Sequence, residues 1–114
     1  MISIIGAGPS GSYLAYLLAK RGESVCVFEE HDKIGKPVQC TGLVTSSIKD
    51  LIEKKDEFVI NKINQVKIIA PNGYVAEFKL KNQNYVFDRY KFDNYIAKKA
   101  IDAGANYYFK KRFQ

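Results

Sequence analysis

Six residues near the start, Gly6-Ala7-Gly8-Pro9-Ser10-Gly11, have the spacing G-x-G-x-x-G. Many unrelated turns share that spacing, and its setting gives it chemical meaning. An apolar run from Ile2 to Ile5 ends on Gly6, and a helix-compatible stretch opens at Ser10. In a strand–turn–helix, the first glycine permits the tight turn. The second removes the side chain that would hold backbone amides away from a pyrophosphate, and the third lets the helix pack closely on the strand. The helix N-terminus then offers N–H groups and the positive end of its dipole to an anion. Pro9 suits a first turn, where no helical N–H bond is lost. Gly6, Gly8, Pro9, Ser10 and Gly11 are therefore the predicted phosphate-side contacts. Glu29 closes a second apolar run, 23 positions after Gly6. A carboxylate there accepts two hydrogen bonds from a ribose diol and repels a ribose 2′-phosphate. Glu30 competes for that role, but a continuing strand would turn it to the opposite face. The pattern points to recognition of the ADP half of a dinucleotide, FAD or NAD.

The elements that must position these residues follow from the apolar pattern. Ile2 to Ile5 reads as a buried parallel strand. Ser10 to Arg21 reads as a helix with Leu14, Leu17 and Leu18 on one face and Gly22 as its stop. Ser24 to Glu29 reads as a second buried strand. Such a crossover is right-handed and parallel. Residues 31–42 form a loop punctuated by Gly35, Pro37 and Gly42. A short helix is predicted over Thr45 to Lys54, with Thr45 or Ser46 as cap and Ile48, Leu51 and Ile52 on its buried face. Two alternating runs, Ile63 to Ala70 and Tyr74 to Leu80, flank Pro71-Asn72-Gly73, a hairpin signal. Tyr85 to Phe87 reads as a further short strand, Asp88 to Ala103 as a helix ended by Gly104, and Asn106 to Phe109 as a last strand. The expected fold class is α/β. It is a Rossmann-like βαβ unit with a three-stranded parallel core and an inserted antiparallel β-hairpin. It forms one domain over residues 1–114, with an excursion at 35–87.

Length and composition agree with a globular domain: 114 residues, 46% hydrophobic and 26% charged. The longest apolar stretches fall far short of the ~20 residues of a membrane helix. The first residues lack the basic leader of a signal peptide, so a cytoplasmic location is expected. Lys and Arg number 18 against 12 Asp and Glu, a net charge of +6. This charge is largely scattered, as on a solvated surface. A sharper reading is attraction to an anionic membrane surface, with peripheral contact. No nucleic-acid motif accompanies it, and nucleic acid is not an expected partner. Cys26 and Cys40 lie fourteen positions apart and His31 is the single histidine, so no metal site is expected. Cys26 belongs to a buried strand. An exposed third strand and an unpaired hairpin would favour self-association.

The stretch Gly35-Lys36-Pro37-Val38-Gln39-Cys40-Thr41-Gly42, together with Asp88-Arg89-Tyr90-Lys91-Phe92-Asp93, resembles the geranylgeranyl reductase family. These are FAD-dependent oxidoreductases that saturate isoprenoid chains, in archaeal members those of membrane ether lipids. The resemblance runs from Met1 to about Phe109. It implies FAD as cofactor, held through Gly6, Gly8, Gly11 and Glu29, with an isoprenoid lipid as substrate. It also implies a position for Cys40 beside the reacting centre, as the candidate catalytic residue. Arg89 is implied at a helix start, reaching FAD phosphate or ribitol oxygens, a role suited to a guanidinium. Lys36 is a weaker phosphate candidate. Family members are several times longer, and their later Gly-Asp segment and much of their lipid pocket have no counterpart here. The expectation is thus the N-terminal part of such an enzyme, as a truncated reading frame would give, and one too short for catalysis alone. The rival readings are a hydroxylase-like FAD monooxygenase, a non-catalytic nucleotide-binding remnant or subunit, and an NAD-binding module.

Overall fold

Strand β1 (Ile2–Ile5) pairs in parallel with β2 (Val25–Phe28), and β2 pairs in parallel with β6 (Asn106–Tyr108), giving the order β1-β2-β6. The computed structural model describes residues 1–53 and 55–114. Between β1 and β2 the chain forms helix α1 (Pro9–Lys20), and before β6 it forms helix α2 (Arg89–Asp102). The predicted Rossmann-like α/β fold with a three-stranded parallel core is the observed one, and the predicted hairpin is part of a separate three-stranded antiparallel sheet. The ends of these two helices and three parallel strands differ from the sequence reading by a residue or so, as fraying ends do.

The chain divides into two compact units, residues 1–39 with 89–114, and residues 40–88. In the first, one face of the parallel sheet supplies Ile4, Val25 and Val27. These join Ala15 and Ala19 of α1 and Ala97 and Ala100 of α2 in a single buried cluster. The central strand is apolar throughout because it is covered on both sides, whereas β1 is not. Ser3 and Ile5 on its second face are exposed, contrary to the buried strand expected there. A second correction concerns α1. Leu14 and Leu17 are exposed, and the buried face is the small one, Ser12, Ala15 and Ala19. The two helices pack against each other, and only short side chains fit between close backbones.

The second unit is an antiparallel sheet of order β3-β5-β4, from β3 (Leu43–Val44), β4 (Val59–Ile69) and β5 (Val75–Phe87). The hairpin stands where Asn72-Gly73 placed it. The Gly73 amide donates to the Ala70 carbonyl, and Asn72 Oδ1 accepts from the Tyr74 amide. Tyr85 to Phe87, read as a separate strand, is the continuation of β5 across a register shift at Ile63/Gln65. The helix predicted over Thr45 to Lys54 is a 3₁₀ turn at Ser46–Asp50, followed by another at Lys55–Glu57. Lys54 lies outside the described residues. Thr45 bonds the Ser47 hydroxyl rather than a backbone amide, and Leu51 is exposed, so neither a side-chain cap nor an apolar stripe sustains an α-helix. Ile52, Phe58 and Phe87 are buried in this unit, with the two rings 6.0 Å apart.

Candidate functional site

The turn after β1 brings the predicted phosphate-side residues together. The Gly6 amide donates to the Phe28 carbonyl (2.8 Å), which fastens the end of β1 to β2. Gly6 sits at φ +93°, a conformation that L side chains rarely adopt. A Cβ on Gly11 would overlap the Gly6 carbonyl oxygen and crowd Ile4, so strand and helix meet here at a distance only glycine allows. A Cβ on Gly8, by contrast, would meet nothing within 4 Å. The space over Gly8 is open, as a pyrophosphate cradle must be.

Pro9 and Ser10 form the first turn of α1, with Gly8 at the N-cap position. No side chain caps this end, and its first turn carries no acidic residue. First-turn amides have no partner inside the helix, so this end suits an external anion. Just inside, the fully buried Ser12 donates from Oγ to the Ala7 carbonyl (3.1 Å) and from its amide to the Gly8 carbonyl (2.9 Å), which fixes the shape of the turn.

Glu29 reaches this turn directly. Its Oε2 accepts from the Ala7 amide (2.8 Å), and its Oε1 accepts from the His31 amide (3.0 Å) and lies 2.7 Å from His31 Nδ1. Its side chain is only 12% exposed. Burial by itself would raise the carboxyl's pKa. The backbone amides of His31 and Ala7, with the His31 ring, outweigh burial and hold it below the ordinary carboxylate range. A carboxylate has about four acceptor positions, so Glu29 bonds the glycine turn and keeps capacity for a hydroxyl donor. Glu30 points elsewhere, with Oε2 3.6 Å from Arg112 Nε.

A cleft of about 340 Å³ opens at the ends of β1 and β2, lined by residues that include Gly6, Phe28, Glu29, Lys111 and Arg112. The tail that forms one wall is pinned by backbone bonds, Lys110 amide to His31 carbonyl and Lys111 amide to Glu29 carbonyl (2.9 Å). In the sequence, Lys110, Lys111 and Arg112 count only toward the net charge of +6. The available signal was their place directly after the third strand.

The other predicted site residues make contacts of their own. Arg89, at the start of α2, is clamped by Asp93, with Nε to Oδ1 at 2.8 Å and Nη2 to Oδ2 at 3.2 Å. Asp93 is buried, and the bidentate pair satisfies it. The Lys36 ammonium lies 4.9 Å from the centre of the Tyr90 ring, a cation–π contact rather than a place in the glycine turn. Cys40 is exposed and opens the second unit, where its Sγ accepts from the Gly42 amide (3.4 Å). Cys26 is buried, as expected of a strand residue. Among the described residues no group of three or more His, Cys, Asp or Glu is placed to hold a metal ion.

Glycine turn, uncapped helix end and turn-facing acid together have the form of a Rossmann-like βαβ turn, and the profile of NAD(P)-binding Rossmann-like domains matches residues 4–46. Digeranylgeranylglycerophospholipid reductase 2 of Methanopyrus kandleri is 36% identical over 106 residues, 91% of this chain and 26% of that protein. A solved geranylgeranyl bacteriochlorophyll reductase-like protein from Thermoplasma acidophilum superposes with TM-score 0.82 at 28% identity, covering 95% of this chain and 29% of that one. A flavin-dependent brominase superposes with TM-score 0.66 at 26% identity, covering 93% of this chain and 28% of that one. The geranylgeranyl reductases are relatives of this chain, which is similar to their N-terminal part. It spans a little over a quarter of the length of these proteins.

Proposed function

We propose that this chain holds the ADP half of FAD. On this reading it is the FAD-binding portion of a geranylgeranyl-reductase-like flavoprotein that reduces C=C bonds of isoprenoid chains in membrane lipids. The carrying observation is the pair of bonds from Glu29 to the Ala7 and His31 amides beside an uncapped helix end. That arrangement offers a ribose diol an oriented carboxylate, and offers a pyrophosphate the amides above Gly8. The similarity to reductases named for geranylgeranyl lipids supports the substrate class, and flavin-dependent structural neighbours support FAD over NAD.

Reduced flavin, when bound, would supply a hydride equivalent to the C=C bond. The chain's own residues bind and orient: Gly6, Gly8, Pro9, Ser10 and Gly11 receive phosphates, and Glu29 receives the adenosine ribose. Arg89, oriented by Asp93, is proposed to face FAD oxygens. Cys40 is proposed, from the resemblance alone, to border the reacting centre.

The test is titration of the purified chain with FAD, ADP and NAD, together with its absorption spectrum. Binding of FAD and ADP is expected, with Glu29→Gln weakening both about tenfold, since a bond to a charged group contributes about 1.5–3 kcal/mol. A folded chain that takes up no adenine dinucleotide would refute the reading. Tight NAD binding without flavin would move it to an NAD module.

A further inference from the structure

Beyond the register shift at Ile63/Gln65, β4 and β5 form a two-stranded ribbon paired Val66↔Phe78, Ile68↔Ala76 and Ile69↔Val75. Its end, residues 68–76, contains no charged residue. Ile69 is 65% exposed and Tyr74 78% exposed. Alternation places Ile68 and Ala76 on one face and Ile69 and Val75 on the other, so the end is apolar on both faces. An antiparallel ribbon in water ordinarily keeps one face polar. Scattered exposed apolar residues are ordinary, but a contiguous apolar tip marks an interaction surface. Behind the tip stand four lysines, Lys62, Lys67, Lys79 and Lys81, against one acid, Glu77. Lys67 lies 3.5 Å from Glu77.

We propose that this hairpin end, Ile68 to Ala76, inserts into the interfacial layer of a bilayer that carries anionic headgroups. Charge complementarity selects this occupant. Tyrosine partitions to the headgroup level of a bilayer with its ring towards the apolar side. The isoleucines and Val75 leave water on insertion. Lys67 and Lys79, the lysines nearest the tip, then lie in the negative surface potential, which extends about a Debye length from the headgroups. A second copy of the hairpin fits less well, because tip-to-tip pairing would bring like-charged lysine clusters together. The proposal does not rest on the dinucleotide reading, since none of these residues lies in the glycine turn or its cleft.

The chain has no tryptophan, so Tyr74→Trp gives a single reporter on an exposed position. With vesicles of phosphatidylglycerol and phosphatidylcholine, its emission is expected to shift to the blue, and the chain to sediment with them. With phosphatidylcholine alone, neither is expected, and high salt should release the protein. Ile69→Asp should abolish sedimentation, and Lys67→Gln with Lys79→Gln should weaken it, each lysine by about fivefold. Circular dichroism checks that each variant keeps its fold. An unshifted Trp emission on anionic vesicles overturns the proposal, as does sedimentation indifferent to Ile69→Asp. Sedimentation without vesicles that Ile69→Asp removes would also overturn it, by assigning the tip to self-association.

Discussion

Gly8 and Gly11 separate two uses of the same residue type. A methyl at Gly11 collides with the Gly6 carbonyl, so Gly11→Ala should cost about 1–3 kcal/mol through overpacking, read from the urea midpoint. Gly8 lies at φ −68° with open space before it. Gly8→Ala should leave stability within about 0.5 kcal/mol yet weaken FAD or ADP binding in the same titration. Equal losses of stability in both variants would remove the distinction. Glu29 adds a pH signature. Its folded pKa lies below its unfolded value, so its stabilisation is complete above about 4.3, the ordinary Glu value, and is lost as pH falls through the folded value. Thermal midpoints measured from neutral pH downwards should fall less steeply in that window for Glu29→Gln.

At the scale of elements, the βαβ unit was legible because glycine spacing, apolar runs and the closing acid all agree. The buried face of α1 was not. Leu14, Leu17 and Leu18 form the more hydrophobic stripe, but Leu14 and Leu17 are exposed and Leu18 only borders the core, while Ala15 and Ala19 are the buried residues facing it. Ala15→Leu is therefore expected to cost about 1–3 kcal/mol and Leu14→Ala no more than about 0.5, by chemical denaturation. An apolar stripe alone would predict the reverse ranking. The segment after Thr45 was misread for a related reason. Ile48, Leu51 and Ile52 have helical spacing, but only Ile52 is fully buried there, and the turns remain 3₁₀. The glycine turn and Glu29 were readable because local chain geometry places them. The tail wall at Lys111 and Arg112 was not, because it depends on pairing with residues eighty positions earlier.

For the whole molecule, protection should follow burial. Amide hydrogen exchange is expected to be slowest in β2, where Val25 and Val27 are fully buried, and fastest in residues 68–76 of the hairpin. Comparable rates in both segments would contradict this division. The second unit, residues 40–88, interrupts the first, and that has a consequence on the ribosome. Helix α1 ends at Lys20, whereas the helix that shelters its alanine face is not complete until Asp102. At ~5–20 residues per second, that face waits about 4–16 s for its cover. During this interval the growing chain lacks the helix that covers this face. The small side chains of α1 then serve a second purpose, because an alanine face is a poorer target for a chaperone or a neighbouring nascent chain than a leucine face would be.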